Sequence, residues 1–363
     1  QVWSLLLLLP PMAGITYENS GLVLLSAIPD SELAALVANR LGVTLGDLAI
    51  YQKTNRESTV DVKQSVRGKH VFILQTGSKN VNNDVIELLI LIYACKTSTA
   101  KSITVVVPYL FYSKQCRVLR RSAITSKLVA DLIVKSGANR LVCMDLYKKE
   151  IQGFYSIPVD NLRASLILIQ YIQQGIPDYK NAVIVAKSPE VLNKATSYSE
   201  RLRLSLAVIH GTTREEDESG TEDGRQSPPA RSSVERNSPS ESREKAPLTV
   251  VGDVGGKIAV LVDDMLDDAQ SFVEAAKVLK KRGAYKVYVV ATHGLLSGDA
   301  AQRLEDSCIT EIILTNTVRH DVQKLRCHKI RTVDISMMLC EAIRCIYNNE
   351  SMGSLFRDMT IHE

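Results

Sequence analysis

The sequence predicts an α/β chain built as two similar domains with mainly parallel sheets. Three observations predict it. Short β-branched runs alternate with amphipathic stretches along most of the chain, the pattern of strands buried on both faces beneath crossover helices. The alternation occurs twice, in two halves of similar build. At 363 residues the chain also has the length of two domains, taking about 150 residues for each.

In the first half, strands are expected over 23–26, 71–76, 103–107 and 141–144. The intervening helices run to Arg40 from a cap at Asp30 or Ser31, over 84–96, and over 125–135, because a short polar oxygen can accept the orphan amides of a first turn. The second half continues with a strand over 182–186, a helix over 191–203 and a strand over 206–209. It resumes with a strand over 258–262, a helix over 271–282, strands over 286–291 and 312–315, and a closing helix over 336–347. The expected organisation is an atypical N-terminal end (1–20), an N-terminal domain (21–160), a C-terminal domain (161–335), and a C-terminal helix and tail (336–363) packed back on the first domain.

Apolar residues at 45% and charged residues at 23% exclude a wholly disordered, collagen-like or polytopic membrane chain. With 44 basic against 40 acidic residues, the net charge of +4 gives no case for a nucleic-acid or membrane partner. Seven dispersed cysteines without a C-x-x-C pair predict reduced, buried thiols, a cytoplasmic protein and no zinc site. The leucine run 5–9, followed by Pro10 and Pro11, has no basic flank. It is too short to cross roughly 30 Å of hydrocarbon as a helix and reads as an atypical end rather than an export signal.

Residues 211–247 break the rhythm with seven serines, four prolines and almost no apolar side chain. Such a segment cannot offset an ordering cost of about 1–2 kcal/mol per residue, so a disordered insertion is expected: a tether, tolerated surface, or a regulatory segment phosphorylated at the Ser-Pro sites Ser227 and Ser238.

Three segments carry site-like chemistry. The apolar strand 260–262 ends in Asp263 and Asp264 before a helix, and ligand crevices of α/β sheets lie beyond such strand ends. Asp267 and Asp268 follow, with no glycine to let backbone approach an anion, so they repel phosphate or merely help cap a helix through Ser271. Lys114, Arg117, Arg120 and Arg121 form a basic loop around the apolar Val118 and Leu119. Asp145 ends another strand two residues before Tyr147, whose phenol, ordinarily titrating near about 10, is a poor base at neutral pH.

From about Leu22 to its end, interrupted at 211–247, the chain resembles the ribose-phosphate pyrophosphokinase (phosphoribosyl-pyrophosphate synthetase) family, and most closely its synthetase-associated members. The likeness is carried by Glu87-Leu88-Leu89-Ile90, Ile151-Gln152-Gly153-Phe154, Ile157-Pro158-Val159-Asp160-Asn161-Leu162, Val262-Asp263-Asp264-Met265, Thr292-His293-Gly294, Thr315-Asn316-Thr317 and Val333-Asp334-Ile335-Ser336. It implies two phosphoribosyltransferase-like domains that, in active members, bind ATP and ribose 5-phosphate with magnesium and assemble through dimers into rings.

Departures from the active pattern decide what else the resemblance implies. Tyr147 stands where active members carry the histidine of Asp-Leu-His, and Lys114-Gln115-Cys116 replaces Arg-Gln-Asp. Lysine keeps the charge of arginine but loses the planar fork that grips phosphate. Asn55 and Glu57 remain of the Phe-Ser-Asn-Gly-Glu stretch, without its aromatic platform or glycine. The Asp-Ala-Gly-Gly turn matches Ser188-Pro189-Glu190-Val191, where both glycines are gone. The sugar-phosphate loop Asp-Thr-x-Gly-Thr aligns with Asp267-Asp268-Ala269-Gln270-Ser271.

Asn55, Glu57, Lys114 and Gln115 are thus remnants of an ATP site, and Asp263, Asp264 and Ser271 remnants of a ribose-phosphate site. Tyr147, Cys116, Asp268 and Gln270 are altered catalytic positions. No metal site is expected, Asp145 being the one weak candidate. The resemblance implies a non-catalytic regulatory subunit, homo- and hetero-oligomeric with catalytic pyrophosphokinase subunits, that lowers phosphoribosyl pyrophosphate synthesis. No cofactor is required, although residual magnesium, ADP or phosphate binding stays open. The alternatives are a weakly active homologue using Asp145, Asp263, Asp264 and a substitute base such as His293, or a nucleotide- or phosphate-sensing homologue that binds without turnover.

Overall fold

The computed structural model describes residues 21–28, 31–118, 122–211 and 248–356. The N-terminal leucine run, Asp30, Leu119, Arg120, Arg121, the insertion from 212 to 247 with Ser227 and Ser238, and the last seven residues lie outside the described residues.

The first half runs β1 (Leu22–Ser26), α1 (Glu32–Leu41), β2 (Leu48–Gln52), β3 (Ser58–Val62), β4 (His70–Leu74), α2 (Val81–Thr97), β5 (Ser102–Val107), α3 (Thr125–Ser136), β6 (Arg140–Met144) and β7 (Val159–Leu162). The second runs α4 (Ser165–Gly175), β8 (Ala182–Ala186), α5 (Leu192–Leu202), β9 (Ser205–His210), β10 (Thr249–Val251), β11 (Ile258–Leu266), α6 (Gln270–Lys281), β12 (Lys286–Gly294), α7 (Ala300–Glu305), β13 (Glu311–Thr315), α8 (Asp321–Arg326), β14 (Ile330–Val333) and α9 (Ser336–Asn348). The expected boundary between residues 160 and 161 falls inside β7, where Asn161 is in register with Cys143 of β6.

The first sheet is parallel throughout, in the order β1-β4-β5-β6-β7. The second has the order β10-β9-β8-β11-β12-β13-β14 and is parallel except where β10 pairs antiparallel with β9. Strand alternation explains how each sheet is covered. Phe72 and Leu74 of β4 face a core shared with Val260 and Val262 of β11 and with α1, α4, α5 and α9. Val71 and Ile73 face the opposite way, beneath α2 and α3, while Ala259 and Leu261 of β11 lie beneath α6 and α7. Two sheets therefore enclose a common helical layer, and each carries a second layer outside.

Helix α1 begins where Ser31 Oγ accepts the Ala34 amide and ends at Gly42, whose φ of 66° turns the chain so that the following Val43 amide donates to the Ala38 carbonyl at 3.1 Å. Its buried Leu33, Ala34, Val37, Ala38 and Leu41 join Met338, Leu339 and Ile343 of α9, so the start of the first domain packs against the end of the second. A polar clamp finishes that contact. Arg40 donates to Ser336 Oγ at 2.7 Å and to Asp334 Oδ2 at 3.1 Å, and Asp334 Oδ1 also accepts from Asn316 Nδ2 and the Ser336 amide. A second junction is a parallel bridge between Gly77 and Val318. A side chain at Gly77 would crowd Tyr109 at 3.2 Å and Val318 at 3.4 Å.

Burial opposes ionisation of Asp334, but the Ser336 and Asn316 hydrogen bonds and Arg40 outweigh it and hold the carboxyl below its ordinary value of 3.8. A depressed carboxyl contributes stability that is complete above the unfolded value and lost as pH falls through the folded one. Asp334→Asn is therefore expected to cost about 1.5–3 kcal/mol at pH 7, the range for a charged hydrogen-bonding group. Urea denaturation at pH 7 and pH 3 checks this, the difference from wild type shrinking at the lower pH.

Candidate functional site

In the second sheet the chain order reverses between β8 and β11, which are hydrogen-bonded neighbours with Ala186 opposite Val262. The crevice beyond such a switch point is where open α/β sheets bind ligands. Lys187 follows β8 directly, and Asp263 and Asp264 sit beside it on β11. The strand does not stop at these acids, contrary to the sequence expectation. It continues to Leu266 because β12 stays alongside, with Met265 opposite His293 and Leu266 opposite Gly294.

Lys187 Nζ lies 3.0 Å from Asp263 Oδ2 and 3.3 Å from Ser271 Oγ, and 4.3 Å from the centroid of the Phe272 ring. Lys194, in the first turn of α5, lies 2.5 Å from Asp264 Oδ1, 3.4 Å from Thr292 Oγ1 and 3.7 Å from Asp145 Oδ2. A cation at a helix N-terminus opposes the macrodipole, so this position is stabilised by its carboxylates. Burial disfavours the ammonium, yet Asp145 and Asp264 together outweigh burial and raise its pKa above the ordinary 10.5. One ion pair at 4 Å is worth about 4 kcal/mol at an effective dielectric of about 20, similar to the several kcal/mol lost on desolvating each ion. Two carboxylates for one buried ammonium decide the sign.

Asp145 brings the first domain to this cluster. It follows β6 with a positive φ of 40°, uncommon for a residue with a side chain, and its amide donates to the Leu162 carbonyl. The resulting turn aims the carboxylate across the domain boundary, where Thr292 Oγ1 donates to it at 2.6 Å. His293 completes the junction. Its Nε2 lies 3.1 Å from the Met144 carbonyl and 3.4 Å from that of Asp145, while Nδ1 lies 2.9 Å from Thr317 Oγ1. Carbonyls only accept, so Nε2 carries the proton. Burial holds the imidazole below its ordinary 6.5, with Asp145 opposing that shift and Lys194 adding to it.

Among the expected site residues, Lys114 and Asp267 are brought together across the domains at 3.3 Å, and Asp267 also accepts from Ser297. Asp268 accepts the Gln270 amide at 3.1 Å and lies 3.8 Å from Arg303. Ser271 is not the helix cap. Helix α6 begins one residue earlier without a side-chain cap, and Ser271, inside the first turn, faces the core and Lys187. Gln270 donates along the surface of α6 to Glu274. Asn55 Oδ1 accepts the Glu57 amide within the β2–β3 turn, where both residues are exposed. The Gln115 amide donates to Tyr112 and its carbonyl accepts from Ser126, while Cys116 and Tyr147 pack, half-buried, against the outer core of the first sheet.

The sequence reading missed Lys187 and Lys194. The available signal was position: Lys187 comes immediately after the buried strand Ala182–Ala186, and Lys194 lies in the first turn of the next helix. These lysines also answer whether magnesium, implied by the family, fits. Among the described residues, no group of three or more His, Cys, Asp or Glu side chains is arranged to hold a metal ion. The carboxylates nearest the switch point carry ammonium partners instead. The donors fit lysine, not a divalent ion.

The chain is 57% identical over 95% of its length, and 96% of the relative's, to the human phosphoribosyl pyrophosphate synthase-associated protein 2, and 53% identical over 92% of its length, and 95% of the relative's, to the human associated protein 1. It belongs to the synthetase-associated branch of the ribose-phosphate pyrophosphokinase family. Residues 178–357 match the family model described as the phosphoribosyl synthetase-associated domain. Residues 22–137 match that of the N-terminal domain of ribose phosphate pyrophosphokinase. A ribose-phosphate pyrophosphokinase 2 of Schizosaccharomyces pombe is 39% identical over 90% of this chain and 94% of its own. The solved phosphoribosylpyrophosphate synthetase of Mycobacterium smegmatis superposes with a TM-score of 0.77 at 32% identity, covering 90% of this chain and 99% of its own, in keeping with the two mainly parallel α/β domains.

Thr292 tests the cross-domain contact most directly. Thr292→Val keeps the shape and removes the donor to Asp145, and is expected to lower stability by about 1.5–3 kcal/mol, read as a lower urea midpoint with an unchanged m-value.

Proposed function

We propose that this chain is a non-catalytic subunit that joins catalytic ribose-phosphate pyrophosphokinase subunits and lowers their output. The observation that carries the first half is the loop from Asp267 to Ser271. Where active members have a glycine-bearing phosphate cradle, this loop presents carboxylates tied to Lys114, Ser297 and Arg303, and its serine is turned onto Lys187. Removing one oxyanion-type donor costs about 2.7–4 kcal/mol of transition-state stabilisation. Here the cradle, the arginine fork and the histidine are all replaced.

His293, the candidate substitute base, is 2% exposed with both ring nitrogens engaged. It ties the domains together and has no free nitrogen to offer a substrate.

Association draws support from a different surface. Helix α2 is apolar around nearly its whole circumference, and such helices are ordinarily covered on all sides. One side packs on the sheet through Leu88, Leu91 and Ile92, yet Ile86 and Tyr93 are half exposed, as are Leu128 and Leu132 on the adjacent α3. This outer face suits contact with subunits of like fold, in homo- and hetero-oligomers. The seven free thiols suit a reducing cytoplasm. No helix among the described residues is long and apolar enough to cross a membrane.

The isolated chain, supplied with magnesium, ATP and ribose 5-phosphate, is expected to make no phosphoribosyl pyrophosphate, and Tyr147→His is expected to leave it inactive because the cradle and fork remain altered. Added to an active synthetase, the chain should co-elute with it and reduce its turnover. Product from the chain alone overturns the non-catalytic reading. Tyr93→Glu combined with Leu128→Glu is expected to abolish co-elution while changing stability by no more than about 0.5 kcal/mol per site.

A further inference from the structure

The ammonium of Lys194 has partners from both domains. Asp145 follows β6 of the first sheet, whereas Asp264 and Thr292 belong to β11 and β12 of the second. The side chains of Lys194 and Asp145 are 17% and 12% exposed. The space between the carboxylates is therefore filled by the lysine head and its hydroxyl neighbour. A divalent cation requires several oxygens at roughly 2.0–2.6 Å, and it cannot share Asp264 Oδ1 with an ammonium 2.5 Å away. Asp263 offers no alternative, because Lys187 holds it from the β8 side at 3.0 Å.

From this geometry we infer that Lys194 is a built-in cation: it takes the place of a divalent ion between Asp145 and Asp264, keeps such ions out of the cleft, and joins the two domains without any ligand. This goes beyond the regulatory role, which holds with or without it, and it is a positioning role for the lysine rather than a catalytic one. The ammonium supplies the positive charge that the converging carboxylates demand, and its covalent tether to α5 makes that charge independent of metal concentration. Neutralising it leaves two carboxylates from different domains facing one another with a hydroxyl between them, which is oxygen chemistry suited to Mn2+ or Mg2+.

The full-length chain titrated with MnCl2, with free Mn2+ followed by electron paramagnetic resonance, tests the assignment. Wild type and Asp264→Asn are expected to bind Mn2+ indistinguishably. Lys194→Met should gain a single Mn2+ site about tenfold or more tighter than any in wild type, as expected when a charge repelling the ion is removed, and Lys194→Met/Asp264→Asn should lose it. Lys194→Met alone should regain thermal stability in MnCl2, because a ligand bound only to the folded state raises the midpoint; an ion pair unrelated to metal exclusion would not produce that. A folded Lys194→Met that binds no more Mn2+ than wild type overturns the inference. Should that variant not fold, anomalous scattering from wild-type crystals grown in MnCl2 decides: no Mn2+ between Asp145 and Asp264 supports the built-in cation, and a peak there refutes it.

Discussion

One apolar core, shared by the inward faces of both sheets and the helices between them, sets where the two domains stand relative to each other. Everything at the junction inherits its place from that packing. Phe72 and Leu74 from the first sheet and Val260 and Val262 from the second contribute to the same core, and α1 and α9 close it at one side under the Arg40–Asp334 clamp. Interiors are packed as densely as organic crystals, so the strand ends are held to positions that differ little from molecule to molecule. Groups of opposite charge can then meet across the boundary at hydrogen-bond distance.

The junction shows how a fold can outlast the chemistry with which it is associated. Core strands tolerate loop change because their stability comes from burial, whereas binding phosphate depends on a few backbone amides, glycines and cations placed in loops. In this chain the loop after β11 carries carboxylates, and Lys114, Lys187 and Lys194 are each paired with an aspartate. His293 illustrates the same conversion. Its ring is fully employed between Thr317 and the carbonyls of Met144 and Asp145, so a residue whose type suggests acid–base work holds two domains together.

Much of the fold was legible from pattern. The β-branched runs at Ile103 to Val107, Ala182 to Ala186 and Ile258 to Val262 became central parallel strands, since no other arrangement buries both faces of such segments. The β2–β3 hairpin, β7, α4 and the short α7, α8, β10 and β14 went unrecognised. Most are brief, and helix α4, Ser-Leu-Ile-Leu-Ile-Gln-Tyr-Ile, is so apolar that its period is hard to see. At the candidate site, Asp145, Asp263 and Asp264 were legible because acids directly after an apolar run stand out in the sequence, whether or not the strand ends there. Ser271 reads as a cap in the sequence, but the helix starts at Gln270, and that shift of one residue turns the Ser271 side chain from the end of the helix to its flank.

The amino-acid order by itself determined the two α/β domains, the family resemblance and the run of carboxylates after β11, because these reside in contiguous segments and depend on local pattern. Only the tertiary structure decided which charges meet. Lys194 and Asp264 are 70 residues apart, and Thr292 and Asp145 are 147 apart; they become neighbours through sheet register and the packing of one domain on the other. Ion-pair energies vary with distance and burial, and neither can be read along a chain whose partners are assigned by folding.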